Sequence, residues 1–359
     1  MLHALIMAGG GGTRFWPRSR QEKPKQFLKL VGDHTLLQQA LERIEVLAAP
    51  ERTWIITGAS YCAETARQLP SLPADRIVGE PCGRDTAACI GLGAALIARD
   101  DPEATMLVMP ADHVIEPVQE FRRAVQVAEQ MVTEHPNALV TFGIRPTFAV
   151  TGYGYIERGT ELTQRQGVPI FRVGSFREKP HVELAEQFLA SGKHYWNSGI
   201  FVWRAATILQ ELRNNQPKLA AALERIAAAW DTPQRDEVLT KEYPGLDKIS
   251  IDYAVMEKSA EVLVVQAPFL WDDVGSWLAL ERRHPQDAND NTILAYHIGI
   301  DTHNCVIVGD EAKLITTLGV RDLIIIQDGD AILVAHRGDE GNIKKLVEHL
   351  KARGLEKHL

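Results

Sequence analysis

A run of four glycines near the start of the chain, residues 9–12, is the segment best suited to chemistry. It follows Ala8 and precedes Thr13 and Arg14. Because glycine has no Cβ, successive backbone N–H groups in such a run can approach an anion closely. The run predicts a loop that binds a triphosphate, and the alternative is a flexible turn beside a solvated basic surface. Four more cationic side chains, enough to neutralise a polyphosphate, follow at Arg18, Arg20, Lys23 and Lys25.

The spacing excludes two familiar phosphate-binding motifs. A P-loop has a lysine and a serine or threonine directly after its last glycine, whereas Gly12 is followed by Thr13 and Arg14. A dinucleotide-binding fingerprint has its third small residue where Arg14 or Phe15 stands, and no acidic residue closes a first βαβ unit at the expected distance. The nucleotide-binding residues predicted from this segment are Ala8, Gly9, Gly10, Gly12, Thr13, Arg14 and Lys25.

The pattern that remains, Gly-Gly-x-Gly-Thr-Arg followed by Pro24 and Lys25, resembles the sugar-1-phosphate nucleotidyltransferases. The longer form with Trp16-Pro17, Ser19-Arg20 and Gln26-Phe27 is similar to the mannose-1-phosphate guanylyltransferases among them. Ordered motifs of this kind extend over nearly the whole chain. The resemblance implies an enzyme that converts GTP and α-D-mannose 1-phosphate into GDP-mannose and diphosphate, with Mg²⁺ as cofactor.

Two aspartates far apart in the sequence, Asp112 and Asp273, are the predicted metal ligands. Both lie in motifs that match the family, Pro-Ala-Asp-His for the first and Asp-Val-Gly-Ser-Trp for the second. Mg²⁺ usually takes one or two carboxylates together with substrate phosphate oxygens and water. Asp272 stays an alternative ligand, because sequence spacing does not separate adjacent aspartates. We expect His113 to form structural hydrogen bonds.

A second nucleotide-binding segment is predicted at Glu80, Arg84 and Thr86. It follows a predicted strand and opens a helix, so that backbone N–H groups at the helix terminus would face the nucleotide. Asp85 or Thr86 is alternatively a plain helix cap. The family usually has Asn at the position of Asp85 and proline at that of Ala88, so the details of base recognition do not carry over. Guanine needs an acceptor for its N1–H and N2 amine, which either Glu80 or backbone carbonyls would supply.

Three further segments resemble those that line the hexose pocket in the family. They are residues 151–156, 178–180 and 196–199. The resemblance implies that Gly154, Glu178, Lys179 and Asn197 bind the sugar phosphate. Glu178 and Asn197 would pair with sugar hydroxyls, and Lys179 would hold the 1-phosphate. Residues 250–258 also match the family, and we expect them to form mainly a supporting helix.

The implied reaction is attack by a phosphate oxygen of mannose 1-phosphate on the α-phosphorus of GTP. No general base is required, since a sugar phosphate with a second pKa near ~6 is largely a dianion at neutral pH. Catalysis is therefore expected to come from positioning and electrostatic stabilisation. The predicted catalytic residues are Arg14, which would stabilise charge on the triphosphate, and Lys25, which would bridge the reacting phosphates.

These residues must be positioned by a fold, and the pattern predicts an α/β fold with a Rossmann-like, mixed and mostly parallel sheet. An apolar run at residues 2–7 is a buried strand that delivers the glycine loop to a sheet edge. Ligands of such sheets bind beyond the carboxyl ends of the strands. Later strands are predicted at residues 54–57, 76–78, 105–109 and 138–144, and helices at 35–47, 60–69, 86–99 and 117–134.

The second half of the chain is less regular. Short strands are predicted around residues 154–156, 171–176 and 199–203, and helices at 182–189, 207–213 and 218–230. Beyond about residue 285, Cys305, Leu314, Leu323 and Ile332 follow at intervals of nine, each inside a short apolar run. This rhythm predicts a small β-domain that ends in a helix at 342–353, and the resemblance implies a short left-handed β-helix. We therefore predict a nucleotidyltransferase domain at residues 1–285 and a C-terminal β-domain at residues 286–359.

Composition bounds the class of protein. Hydrophobic residues make up 45% and charged residues 24%, with no apolar run near eighteen residues, which describes a globular protein without a membrane partner. The net charge of −8 argues against nucleic acid as a partner, because the basic residues cluster in one loop. The four cysteines contain no C-x-x-C pair and favour reduced thiols in the cytoplasm. The first residues lack the pattern of a signal peptide, so export is not expected.

The resemblance also implies a homodimer and a single activity, since a chain ending at Leu359 has no room for the phosphomannose isomerase domain of some relatives. Two alternatives stay open. One is a nucleotidyltransferase for another sugar 1-phosphate or nucleotide, and the other is a non-catalytic subunit that senses a sugar nucleotide. The presence of Arg14, Lys25, Asp112 and Asp273 together argues against the sensor, which would not need the full charge-neutralising set.

Overall fold

The computed structural model describes residues 1–359. Its first eleven strands are β1 Leu2–Ala8, β2 Thr53–Gly58, β3 Ile77–Glu80, β4 Thr105–Pro110, β5 Val114–Glu116, β6 Leu139–Ile144, β7 Tyr155–Arg165, β8 Val168–Arg177, β9 His194–Arg204, β10 Val262–Gln266 and β11 Leu270–Asp272. Nine of them form one sheet in the order β3-β2-β1-β4-β9-β6-β10-β8-β7. The short strands β5 and β11 form a separate two-stranded sheet.

One half of the large sheet is parallel and the other half is mixed. β1 lies between β2 and β4 and is parallel to both, and β3 continues the parallel set. These strands are almost entirely buried apolar runs, as expected for parallel strands covered on both faces. β9 is antiparallel to β4 and β6, and the β7–β8 hairpin closes the far edge. The antiparallel β9 therefore joins the two halves.

The chain also forms nine α-helices, of which the first eight accompany the large sheet and the last packs with the C-terminal part of the chain. They are α1 Leu36–Ile44, α2 Cys62–Gln68, α3 Asp85–Asp100, α4 Val118–Glu134, α5 Val182–Ser191, α6 Ala205–Asn215, α7 Pro217–Ala229, α8 Arg235–Glu242 and α9 Ile343–Ala352. α3 is buried over most of its length because small residues such as Ala87, Ala88 and Gly91 allow close packing. No helix has the length and hydropathy that a membrane crossing requires.

The C-terminal strands wind as a short β-helix. They are β12 Thr292–Leu294, β13 His297–His303, β14 Val306–Val308, β15 Ile315–Arg321, β16 Leu323–Asp328 and β17 Ala331–His336. Successive turns pair in parallel, β12 with β14, β14 with β16, and β13 with β15. β17 returns antiparallel to β16 and ends the stack. Apolar residues of β14 and β16 alternate into the interior, which gives this small element its core.

Packing divides the chain into two compact units. The sheet unit comprises residues 1–9, 40–111 and 115–271. The β-helix unit comprises residues 10–39, 112–114 and 272–359, so it includes most of the glycine loop. One of its hydrophobic clusters contains Phe15 and Trp16 from that loop together with Trp277 and one face of β14 and β16, while alternate residues of these strands, Ile307 and Ile325, belong to a separate cluster. The predicted domain boundary between residues 285 and 286 stays a prediction.

The mixed sheet with its helices and the C-terminal β-domain confirm the predicted fold class. The handedness of the β-helix stays a prediction. The structure differs from the expected pattern at β7 and β8, which have 11 and 10 residues where strands of 3 and 6 residues were predicted. Most residues of both strands are exposed or only partly buried, so their polar side chains obscured the strand pattern. The expected supporting helix at residues 250–258 contains a π-helical turn over Asp252–Met256.

Candidate functional site

The carboxyl ends of four neighbouring parallel strands meet at one edge of the sheet. β1 ends at Ala8, whose carbonyl accepts a hydrogen bond of 2.9 Å from the Thr57 hydroxyl of β2. Glu80 closes β3 at the same edge, and a Cβ added to Gly9 would lie 3.1 Å from its Oε2 atom. The start of the glycine run and a carboxylate therefore lie together where α/β sheets bind their ligands.

Within the β-helix unit, the last glycine of the run packs directly against Lys25. Gly12 has a φ of 60°, in the left-handed region, and a Cβ at this position would overlap the Cβ of Lys25. The Gly12 carbonyl accepts a hydrogen bond of 2.7 Å from the buried Ser19 hydroxyl. The loop thus closes on itself and fixes the backbone of Gly12 beside Lys25.

Lys25 joins the two predicted metal-ligand motifs. Its ammonium group donates to Asp112 Oδ2 at 2.6 Å and to the Asp273 carbonyl oxygen at 2.5 Å. The Lys25 side chain is only 8% exposed, and it also lies over the Phe15 ring. Burial raises the pKa of Asp112, but the Lys25 and His113 charges outweigh it, so the pKa lies below its ordinary value. Asp112 is therefore ionised at neutral pH, as a metal ligand must be.

The adjacent aspartates, Asp272 and Asp273, have different environments. Asp272 is buried, and its carboxylate accepts bonds of 2.7 and 2.8 Å from Arg282 and one of 2.8 Å from the Val274 amide. Asp273 is half-buried, and its main chain contacts Lys25. Val274 has a φ of 43°, which is strained for a β-branched residue. Asp272 thus has a structural role that braces a strained turn, and Asp273 is the better-placed metal ligand.

Glu80 is buried rather than open to a base. Its Oε1 atom accepts a hydrogen bond from the Tyr243 hydroxyl. Burial raises the pKa of Glu80 to about 7, although the Tyr243 hydrogen bond opposes this. One carboxylate oxygen is therefore already used within the protein, and the choice between Glu80 and backbone carbonyls as the guanine acceptor stays a prediction.

The start of α3 is held by the sheet unit itself. Arg84 donates to the Pro244 carbonyl, and the Thr86 hydroxyl accepts a hydrogen bond of 2.8 Å from the Ile251 amide. Asp85 accepts from the amide of Thr86 at 2.8 Å and has a φ of 65°. Both side chains predicted to contact the nucleotide here, Arg84 and Thr86, make structural contacts. Their role in nucleotide binding stays a prediction.

A carboxylate cluster forms around the predicted hexose-binding residues. A Cβ on Gly154 would overlap Glu178 Oε2, so the glycine lets that carboxylate approach the main chain. The Asn197 side-chain amide donates to Asp252 Oδ1 at 2.9 Å, and the Asn197 backbone N–H donates to the Gly154 carbonyl at 2.8 Å. Lys179 Nζ lies 3.2 Å from Glu178 Oε1. Gly154, Glu178, Lys179 and Asn197 are therefore brought together, with Asp252 added.

Burial disfavours the ionised forms of the carboxyl groups in this cluster. Burial and then the charge of Glu178 raise the pKa of Asp252 to about 7. Burial also raises the pKa of Glu178, whereas Lys179 opposes it. Burial lowers the pKa of Lys179, but Glu178 outweighs this and the net shift is upward. Carboxylates that are partly desolvated and supported by an amide are suited to accept hydrogen bonds from several hydroxyls.

Asp252 is the residue that sequence reasoning missed. Its segment matched the family, but its apolar neighbours indicated a helix that only supports the site. The available signal was the apolar stretch Ala254–Met256 directly after this aspartate. An apolar stretch of this kind is buried, and a carboxylate drawn into the interior beside it needs a hydrogen-bond partner. That partner is Asn197.

The arginines of the glycine loop do not form one cationic cluster. Arg18 and Arg20 pair with Asp328 and Asp330, at 3.7 and 2.9 Å. Each of these two arginines therefore has a carboxylate partner within the protein, and their role in neutralising a polyphosphate stays a prediction. Arg14 is exposed. Burial raises the pKa of the nearby Glu340 carboxyl, and the Arg14 charge offsets part of this upward shift. Arg14 and Lys25 are the loop cations best suited to bind an anion.

Two family models match the chain. One described as nucleotidyl transferase matches residues 3–290, and one described as a MannoseP isomerase/GMP-like beta-helix domain matches residues 295–350. The mannose-1-phosphate guanylyltransferase of Escherichia coli (strain K12) is 40% identical over 364 residues, which cover 99% of this chain and 75% of that protein. That of Klebsiella pneumoniae is 41% identical over 355 residues, 98% of this chain and 74% of that protein.

A solved structure is similar over nearly its whole length. It is described as the mannose-1-phosphate geranyltransferase from Thermus thermophilus, and it is 36% identical with a TM-score of 0.85. The alignment covers 98% of this chain and 99% of that one. Sequence and fold therefore agree on the same group of relatives.

Proposed function

Since this chain belongs to the nucleotidyl transferase family, we propose that it transfers GMP from GTP to α-D-mannose 1-phosphate, forming GDP-mannose and releasing diphosphate. The relatives at about 40% identity, which bear the name mannose-1-phosphate guanylyltransferase, support the choice of substrates. The observation that carries the chemistry is the Lys25 ammonium group, held between the Asp112 carboxylate and the Asp273 carbonyl beside Gly12. It combines a cation for phosphate with oxygen ligands for a metal.

The triphosphate is bound by the glycine loop in this proposal. Gly9, Gly10 and Gly12 offer backbone N–H groups, and a Cβ at Gly10 would meet no protein atom within 4 Å, which leaves room for phosphate. Thr13 and Arg14 complete the loop, with Arg14 exposed and charged beside it. Ala8 fixes the start of the loop through its hydrogen bond with Thr57.

Lys25 retains a donor for the reacting phosphates. An ammonium group has three N–H donors, of which Asp112 and the Asp273 carbonyl accept two. The third is directed to a phosphate oxygen in this proposal. Because Lys25 is nearly excluded from water, its charge acts more strongly on a phosphate than an exposed lysine would. We propose Lys25 and Arg14 as the catalytic residues.

Asp112 and Asp273 would hold Mg²⁺. The donor set fits, because the pKa of Asp112 is lowered and Asp273 comes from a separate segment at the same lysine. When bound, the ion would neutralise phosphate charge. The protein's own part is to keep Asp112 ionised and to orient the Asp273 loop through the Asp272 contacts with Arg282.

The sugar phosphate needs orientation rather than activation. Its phosphate is largely a dianion at neutral pH, so no side chain has to remove a proton. Glu178, Asp252 and Asn197 would accept and donate hydrogen bonds to the hexose hydroxyls, and Lys179 would hold the 1-phosphate. Orientation of the nucleophile towards the α-phosphorus and stabilisation of the accumulating charge then supply the rate acceleration.

We also propose a cytoplasmic homodimer. All four cysteines are unpaired, which supports a reducing compartment. The parallel strands β13 and β15 expose Ile298, Ile300 and Leu318, which are 56%, 67% and 74% accessible. An exposed apolar strip of this kind is typical of a surface that another chain covers. Sedimentation velocity of the wild type and of a triple serine variant at these positions tests the dimer.

The proposed reaction is tested by diphosphate release in the presence of Mg²⁺. GTP, UTP, dTTP and ATP are each combined with mannose 1-phosphate and with glucose 1-phosphate. We expect release with GTP and mannose 1-phosphate. Preference for another pair would keep the reaction class but contradict the substrates. Nucleotide binding without release from any pair would contradict the enzyme and favour a sensor.

A further inference from the structure

A closed hydrogen-bond ring holds the segment that follows the glycine loop. Arg20 donates to the Pro17 carbonyl at 2.6 Å and to Asp330 Oδ1 at 2.9 Å. The second oxygen of Asp330 lies 2.6 Å from His358 Nδ1. The His358 carbonyl in turn accepts a hydrogen bond of 2.7 Å from Trp16 Nε1. Trp16, Arg20, Asp330 and His358 form what we name the Trp16–Arg20 ring, and all four belong to the β-helix unit.

The ring connects segments that are far apart in sequence. Trp16 and Arg20 lie in the glycine-loop segment, Asp330 lies in the turn between β16 and β17, and His358 lies beyond α9. The hydrogen bonds of Arg20 and His358 lower the pKa of Asp330, so its carboxylate is ionised and accepts from both sides. Trp16 is buried, whereas Asp330 is more than half exposed. The ring therefore closes at the protein surface over a buried aromatic residue.

The ring is joined to the proposed catalytic lysine by a short path. Ser19, between Trp16 and Arg20 in sequence, donates to the Gly12 carbonyl at 2.7 Å. Gly12 is in van der Waals contact with Lys25, with no space for a Cβ between them. The backbone N–H of Arg20 donates to the Lys23 carbonyl at 3.0 Å, and the backbone N–H of Lys23 donates to the Arg20 carbonyl at 3.0 Å. Both ends of the segment from Gly12 to Lys25 thus depend on the position of Arg20.

We infer that Arg20, Asp330 and His358 are positioning residues that hold Gly12 and Lys25 in the geometry required for the triphosphate. This inference rests on the proposed function for its kinetic consequences, but the ordering of the segment is independent of the substrate. Arg20 acts through Asp330 and Pro17 and does not contact the triphosphate. Displacement of Lys25 by a fraction of an ångström is sufficient to slow a reaction that depends on alignment.

The kinetic test compares Asp330→Ala, Arg20→Ala and the double variant. We expect each single variant to lower kcat/KM for GTP about tenfold, with the KM for mannose 1-phosphate within about twofold of wild type. The double variant should be no worse than either single variant, because both break the same ring. If Arg20 bound the triphosphate directly, Asp330→Ala would release it and leave kcat/KM for GTP unchanged or higher. That result would overturn the inference.

A second measurement does not depend on turnover. Hydrogen exchange followed by mass spectrometry should show faster exchange in peptides covering residues 12–25 in Asp330→Ala than in wild type. His358→Ala should do the same, and His358→Asn, whose amide can replace Nδ1 as donor, should restore slow exchange. Unchanged exchange in this segment in Asp330→Ala and His358→Ala would refute the ring. If instead exchange rises while wild type lacks activity with GTP and mannose 1-phosphate, the inference survives and the proposed function fails.

The matched control is Glu348→Ala. Glu348 pairs with Lys344 at 4.0 Å on the exposed face of α9, in the same unit. Its removal should leave both kcat/KM for GTP and exchange in residues 12–25 unchanged. Equal effects of Glu348→Ala and Asp330→Ala would show a general loss of stability and would also refute the inference. If Asp330→Ala does not fold, Arg20→Ala and His358→Ala take its place, since each breaks the ring at another member.

Discussion

The buried carboxyl of Glu80 predicts that stability falls as pH rises, and Glu80→Gln should remove that loss. The pKa of Glu80 rises from 4.5 to about 7 on folding because the side chain is buried. The folded state therefore binds the proton more tightly than the unfolded state. The contribution of protonated Glu80 to the unfolding free energy is fully present below pH 4.5 and is lost as the pH rises through about 7.

The magnitude follows from the difference between the two pKa values. About 2.5 pH units at about 1.36 kcal/mol each correspond to about 3 kcal/mol of unfolding free energy. Most of it, about 2 to 3 kcal/mol, is lost between pH 5 and pH 8. Glutamine at this position keeps an acceptor for the Tyr243 hydroxyl but carries no ionisable proton. Wild type should therefore lose about 2 to 3 kcal/mol relative to Glu80→Gln over this range.

Thermal unfolding of both proteins at pH 5 and pH 8 measures the effect. At roughly 2 °C per kcal/mol for a chain of this size, the Tm of Glu80→Gln relative to wild type should rise by about 5 °C between the two pH values. Asp252 titrates in the same range but is present in both proteins, so its contribution cancels. The exposed Glu186→Gln should show no such change. A Tm difference that is the same at pH 5 and pH 8 would refute the argument.

Three further substitutions test the proposed site. Lys25→Met removes the cation between the Asp112 carboxylate and the Asp273 carbonyl, and kcat for diphosphate release at saturating GTP should fall about 10²-fold to 10³-fold. Asp273→Asn should raise the Mg²⁺ concentration needed for activity. Asp272→Asn should lower the Tm and shift the Mg²⁺ titration much less, since its buried carboxylate binds Arg282 and acts on Asp273 only through the loop. Gly12→Ala places a Cβ against Lys25 and should weaken GTP binding about tenfold by calorimetry. Gly32→Ala, at a φ of 72° with open space around it, should not.

The contrary results are specific to each substitution. Near-normal kcat in Lys25→Met would contradict its catalytic role. Equal Mg²⁺ titrations for Asp272→Asn and Asp273→Asn would contradict the assignment of the ligand. Equal losses of GTP affinity in Gly12→Ala and Gly32→Ala would attribute the effect to backbone strain rather than to contact with Lys25.

The parallel half of the sheet could be predicted because its strands are short apolar runs that end in glycine or polar residues. β1 ends directly before Gly9, and β4 ends two residues before Asp112, so the sequence pattern alone located both at a sheet edge. The β7–β8 hairpin was underestimated for the opposite reason. Most of its residues are exposed or only partly buried, and polar and charged side chains interrupt the apolar alternation, so periodicity carries little signal there.

The candidate site was less accessible to sequence reasoning than the fold. Arg18 and Arg20 have the spacing of a polyphosphate-binding cluster, but their partners, Asp328 and Asp330, lie about 300 residues away and leave no local pattern. The choice between Asp272 and Asp273 depended on Arg282, which is likewise a tertiary contact. Asp252 was hidden because a carboxylate on a helix is usually solvated.

The position of the glycine loop inside the β-helix unit limits how this enzyme can be divided or recombined. Phe15 and Trp16 share a hydrophobic cluster with one face of strands β14 and β16 of the β-helix, and the Phe15 and Trp277 rings lie 5.0 Å apart. A cut near residue 285 would therefore remove much of the packing surface beneath the loop that carries Arg14 and Lys25. A chimera that exchanges the C-terminal β-helix for that of a relative must exchange residues 10–39 with it, because the two segments pack together in one compact unit.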